Sequence, residues 1–192
     1  SLMGCAIAKP VHHPGLVTNW DRQIPFPPIE VPPIELVLHT RSMVNDRPSP
    51  SWLATALNRR WTRHGLMNTL REFPALAHAQ FGIKNAPFRL VIEATDDAKG
   101  SYLEVILSVL SLLIIPSHED DSLELVARLY RGPTLLKTYE ARGGFRVRYH
   151  LLFLLPIGWR LNEPGHTIRN TYRDLFLQIQ RDAHELFQFE KS

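Results

Sequence analysis

From Ile34 onward, apolar positions recur with two periods that mark strands and helices. Ile34, Leu36 and Leu38 interleave with Glu35, Val37 and His39, which predicts a first strand. Ser49-Pro50 then offers a cap and a first-turn proline. Trp52, Leu53, Ala56, Leu57 and Trp61 follow at helical spacing up to Gly65, which reads as the helix stop. Pro74 and Pro87 break residues 66–87 into short pieces, and residues 88–94 read as a second strand. Ser101 and Glu104 form a capping-box pattern ahead of the apolar run 105–115, which Pro116 ends. That run predicts a buried helix, or a helix turning into a strand near Leu112. The sharper alternative is a surface for a partner or an apolar ligand, formed by Val105, Val109, Leu112 and Ile115.

Leu123, Leu125, Ala127 and Leu129 alternate with polar residues, and Arg131-Gly132-Pro133 makes a turn. Phe145, Val147, Tyr149, Leu151 and Phe153 then share one strand face, with Arg146, Arg148 and His150 on the other. Gly143-Gly144 ahead of them predicts a bulge or a hairpin turn. A final helix carries Ile168, Tyr172, Leu175, Ile179, Ala183 and Leu186 on one stripe. The order β-α-β-α-β-β-α predicts an α+β two-layer sandwich, a largely antiparallel sheet covered by helices on one face.

The first 33 residues obey neither period. Seven of the 15 prolines fall there: Pro10, Pro14, Pro25, Pro27, Pro28, Pro32 and Pro33. Each fixes φ and removes a donor, so residues 1–33 predict an extended Pro-rich tether ahead of a single globular domain, 34–192. Trp20, Ile24, Phe26, Ile29 and Val31 suggest that the later half of the arm lies on the domain. The first half is expected to be loose, and removal of residues 1–23 to matter little.

Composition narrows the class. At 192 residues, 44% hydrophobic and 21% charged, the chain is globular, and its net charge of +3 is too weak to argue for nucleic acid. The charge is blocked: residues 51–90 carry six basic side chains and one acid, 91–124 one basic and eight acids, and 125–150 six basic and one acid. Opposite blocks in a small domain are expected to face each other as solvated pairs. The longest apolar run falls short of the ~18 residues of a membrane span.

Catalytic patterns are not found. The nine histidines show no His-x-x-x-His spacing, and His12-His13 lack nearby carboxylates, so no metal or cofactor is expected. Glu119-Asp120-Asp121 lacks the alternating ligands of a calcium loop. There is no Gly-rich phosphate loop and no Gly-x-Ser-x-Gly elbow. Trp52, Trp61 and Trp159 read as core or rim residues. The expectation is a non-enzyme.

The single cysteine excludes an intrachain disulfide, and its setting is distinctive. Leu2-Met3-Gly4-Cys5 fits the aliphatic, variable, small, cysteine order that closes a bacterial lipoprotein signal peptide. The thiol would receive diacylglycerol through a thioether, and a basic-then-apolar signal segment is expected ahead of Leu2. The alternative is an incidental free cysteine.

Leu112-Leu113-Ile114-Ile115-Pro116, Lys137-Thr138-Tyr139-Glu140 and Leu151-Leu152-Phe153-Leu154-Leu155-Pro156 carry a resemblance. In their order, residues 34–190 resemble a broad class of poorly characterised Gram-negative lipoproteins. The resemblance implies an acylated Cys5, a periplasmic domain and no assigned catalytic residues. Ala6 follows the cysteine where inner-membrane retention would place Asp, which implies the periplasmic face of the outer membrane. Two functions are therefore expected to compete. One is a lipid-anchored structural or adaptor role with an envelope protein partner. The other is a periplasmic carrier holding a small apolar ligand between segment 103–115 and the sheet.

Overall fold

The computed structural model describes residues 6–11, 31–111, 117–149 and 163–187. Its strands are β1 (Ala6–Val11), β2 (Ile34–Val44), β3 (Arg47–Pro48), β4 (Ala79–Phe81), β5 (Phe88–Gly100), β6 (Ser117–Arg131) and β7 (Thr134–Tyr149). The helices are α1 (Trp52–Leu70), α2 (Tyr102–Leu110) and α3 (Glu163–Phe187), with a 3-10 turn at Pro74–Leu76. Six strands cross the sheet in the order β1-β7-β6-β5-β2-β3, and β4 adds to the start of β2. Neighbours are antiparallel except β2–β5 and β2–β4. A parallel pair needs a crossover, and α1 supplies it between β2 and β5. With β3 and β4 as short additions, β2 to α3 runs β-α-β-α-β-β-α. The chain is an α+β protein of two layers.

Strand alternation places the core. Ile34 and Leu36, then Leu90, Ile92 and Ala94, then Leu123, Leu125, Ala127 and Leu129, and finally Tyr139 and Ala141 share the buried face. Leu66 and Leu70 of α1 and Tyr172, Leu175, Phe176, Ile179 and Phe187 of α3 close over them. Phe73 meets Phe176 edge-on at 5.6 Å, and Phe88 meets Phe187 at 5.0 Å between ring centroids. Each such buried side chain contributes about 1.5–3 kcal/mol.

Two glycines have roles that differ from the expectation. Gly65 does not stop α1, which runs on to Leu70. A Cβ at Gly65 would lie 2.6 Å from Ile168 Cγ2 and 3.7 Å from the Tyr172 ring, so the glycine allows α1 and α3 to meet closely. Gly143 makes neither a bulge nor a turn; it continues β7 in register with Leu123. A Cβ there would run into Thr171 Oγ1 and come within 3.2 Å of Thr167 Cγ2, so the gap seats α3 on the sheet.

Of the apolar stripe expected at the start of α1, Trp52, Ala56 and Trp61 are not core, and the side chains of Leu53 and Leu57 lie outside the described structure. Trp52 is 81% exposed and Trp61 53%, whereas Thr62, Leu66, Thr69 and Leu70 are buried. The physical reason lies beneath the helix. Under its first half the sheet presents Ser42 and Asp96, and Asn58 Nδ2 donates to both, at 2.8 and 2.9 Å.

The arm also differs from the expectation at its start. Ala6–Val11 is not loose: it pairs antiparallel with β7, Ala6 opposite Tyr149 and Val11 opposite Gly144. Pro10 is tolerated because β1 is an edge strand, where one row of backbone donors has no ladder to fill. The charge blocks do pair. Glu124 with Arg142 and Asp120 with Arg146 are register partners across β6 and β7, and Arg128 reaches Glu93 on β5 at 2.7 Å.

Candidate functional site

One end of the sheet gathers most of the features that need explaining. Following the register across it, Ala6 lies opposite Tyr149, Tyr149 opposite Ser117, Glu119 opposite Gly100, and Ala98 opposite Val44. The start of β1 and the ends of β5 and β2 therefore share one end. α2 leaves that end directly after Gly100, and α1 starts there just after β3. Asn45 and Asp46, at φ of 51° and 62°, turn β2 back into β3. Asn45 clasps the end of β5: its amide donates to Gly100 O at 3.1 Å, and Gly100 N donates to Asn45 Oδ1 at 3.1 Å.

Segment 103–115 was expected to pack as a buried helix. The described part, α2, does not. The Ser101 cap forms, with Glu104 N donating to Ser101 Oγ at 3.4 Å. Leu103, Ile106, Leu107 and Leu110 are 65%, 54%, 43% and 75% exposed. Their spacing of three, four and seven residues makes one stripe about 100° wide. The nine-residue α2 contacts β6, and among the described residues no further layer covers the stripe. Val105 and Val109 fall within the α2 backbone, but their side chains lie outside the described structure, as do Leu112 and Ile115 altogether. Cys5 also lies outside the described residues, directly before Ala6 in the sequence.

A collar of matched charges surrounds this end. Lys99 Nζ bridges Asp46 and Asp97 at 2.8 and 3.4 Å, and His118 Nδ1 meets Glu104 Oε2 at 2.9 Å. Arg146 grips Asp120 with two guanidinium nitrogens, which holds the Asp120 carboxyl below its ordinary range. Just inside the collar, Asp96 and Asp121 continue the core face of β5 and β6 and bond to each other. Burial raises both pKa values, and for Asp121 the neighbouring Asp96 charge adds to burial and pushes it up to about 9. Burial and the neighbouring charge therefore favour the protonated form of Asp121 at neutral pH.

A second surface runs along α1. Ala56, Arg59, Arg60, Trp61, Arg63, His64 and Met67 line an open groove of about 690 Å³. Arg63 stacks over Phe81 at 4.9 Å. An adjoining groove of about 450 Å³ includes Leu38, His39, Arg41, Thr55 and Arg59. Among the described residues, no group of three or more His, Cys, Asp and Glu is placed to hold a metal, and no helix is long and apolar enough to cross a membrane.

No family model and no curated protein matches the chain. Solved structures do. A minor lipoprotein of Acinetobacter baumannii is 14% identical, covers 83% of this chain and 95% of its own, and has a TM-score of 0.39. A neuraminyllactose-binding hemagglutinin homologue from Helicobacter pylori is 8% identical over 81% and 87%, with a TM-score of 0.44. The PelC dodecamer of Paraburkholderia phytofirmans is 9% identical over 88% and 96%, at 0.34. These likenesses run through most of each chain, at TM-scores too low to transfer a function.

The α2 stripe was written in the sequence as residues 103, 106, 107 and 110, but a helix apolar on all sides does not announce which side stays open. The half-buried acidic pair had a fainter signal: Asp96 and Asp121 stand where the alternation of β5 and β6 would otherwise place core residues.

Proposed function

We propose that this chain is a lipid-anchored, non-catalytic protein of the bacterial cell envelope. In this reading Cys5 carries the lipid and the domain has a structural or adaptor role at the periplasmic face of the outer membrane. The observation that supports it is positional. Ala6, bonded to Cys5, begins a strand at the end of the sheet that displays the α2 stripe and Trp52. A tether at Cys5 would hold the domain by the end that displays this stripe. Leu2-Met3-Gly4-Cys5 supplies the acceptor thiol and the small residue ahead of it, and Ala6 in place of Asp favours the outer membrane.

The carrier alternative needs an apolar cavity between segment 103–115 and the sheet. Leu103, Ile106, Leu107 and Leu110 turn outward instead, and the two grooves along α1 are lined with arginines. The adaptor reading is therefore preferred.

The test is metabolic labelling. Expressed behind a lipoprotein signal segment in a Gram-negative host fed labelled palmitate, the chain should incorporate label, and Cys5→Ser should not. Equal labelling of the two would overturn the reading.

A further inference from the structure

We infer that α2 and Trp52 form a membrane-inserting face, which lies in the headgroup region of a bilayer and presses the α2 end of the sheet against it. The inference rests on the tethered reading for which leaflet is met, but not for the surface itself. Three observations converge on a lipid surface as the occupant. First, Leu103, Ile106, Leu107 and Leu110 make one continuous exposed stripe on a nine-residue helix. At ~1.5 Å per residue that helix is far too short to span a bilayer, and suits a helix lying in the interface. Second, Trp52, 81% exposed, stands at the same end, and an indole is the side chain best suited to the boundary between headgroups and acyl chains. Third, the register puts Ala6, which follows the candidate lipid acceptor in sequence, at the end where the stripe is displayed.

The collar decides the kind of lipid. Lys99 is taken by Asp46 and Asp97, Arg146 by Asp120, and His118 by Glu104. Arg47, exposed on β3 next to Asp46, also stands at this end. The cationic side chains Arg59 and Arg60 lie further along α1, in the basic groove. Insertion is therefore driven mainly by the apolar stripe, and Arg47 adds only a modest, salt-screened preference for anionic lipid. Weak intrinsic partition suffices for a tethered domain, because the tether keeps the face at high effective concentration near the surface.

The experiment uses the full chain as Cys5→Ser, without lipid, so that it stands apart from the labelling test. It is mixed with vesicles of phosphatidylcholine and phosphatidylethanolamine, with and without phosphatidylglycerol, at low and high salt. Flotation should carry the protein with zwitterionic vesicles at millimolar lipid, and phosphatidylglycerol should strengthen its partition by no more than about fivefold, an increment that high salt removes. Leu107→Glu and Leu110→Glu should each weaken partition about tenfold while leaving the thermal midpoint unchanged, since both side chains already face solvent. Brominated lipid should quench indole emission in the parent chain, and less of it in Trp52→Phe. Failure of the parent chain to float would overturn the inference. So would flotation that needs phosphatidylglycerol and is lost in Arg59→Ala with Arg60→Ala, which would assign binding to the basic groove. Dimers dissolved by Leu110→Glu, with no flotation, would assign the stripe to a second copy. Loss of palmitate labelling with flotation intact would remove the anchor and keep the face.

Discussion

The raised pKa of Asp121 beside Asp96 gives the fold a pH dependence. The folded state raises Asp121 from its ordinary 3.8 to about 9, so between those values the folded chain holds a proton that the unfolded chain has released. The stabilisation is fully present below about pH 4 and is lost as pH rises toward 9. Asp97 and Glu119 add like charge to both carboxyls and deepen the effect. Asp121→Asn keeps a donor toward Asp96 without needing the proton. Denaturant titrations from pH 5 to 9 should show stability falling in the parent chain and a flatter profile in Asp121→Asn. Identical slopes would show that the pair does not titrate as one unit. The close-approach glycines act at the same scale. Gly143→Ala should cost about 2–3 kcal/mol, because its methyl meets β-branched Thr171 and Thr167 on both sides. Gly65→Ala should cost less, since removing glycine from a helix returns about 1 kcal/mol against the clash with Ile168. Calorimetry of the two variants checks that order.

At the scale of elements, β1 changes what the N-terminus does. Periodicity made residues 1–33 a tether, because prolines exclude helices and central strands. An edge strand escapes that exclusion, and Ala6–Val11 uses it to cover β7. Removing residues 1–11 uncovers that edge. The thermal midpoint should fall by roughly 3–10 °C, as expected for a loss of about 1–3 kcal/mol in a chain of this size. Sedimentation should reveal self-association through the bared strand. A monomer with an unshifted midpoint would mean that β1 leaves the sheet in solution. The two helices show the complementary point: among the described residues, Trp52 of α1 and the stripe of α2 are exposed at the α2 end. Helical spacing identifies a stripe. Whether a layer lies opposite depends on where the neighbouring strands stop.

At the scale of the whole molecule, the sheet separates two surfaces. Its outer face is laced by the Glu93–Arg128, Glu124–Arg142 and Asp120–Arg146 pairs, which neutralise the charge blocks of the sequence. Its α2 end is apolar and ringed by matched charges, while the arginines of α1 stand apart in their own groove. Palmitate labelling and vesicle flotation ask separate questions of that arrangement: whether the chain is tethered, and which end would meet the bilayer.

Alternation with period two at Ile34, Leu90 and Leu125, and the stripe of Tyr172, Leu175 and Ile179, determined the order of the principal elements and the buried face, because local periodicity reports directly which side of an element avoids water. The tertiary structure alone decided the rest. It turned Gly65 and Gly143 from expected breaks into contact points for α3, joined Asp96 to Asp121, and drew Ala6, Trp52 and the α2 stripe to one end. Each of those depends on strand register and on where a neighbouring layer ends, which are relations between segments far apart in the chain, and no local pattern of polar and apolar residues encodes them.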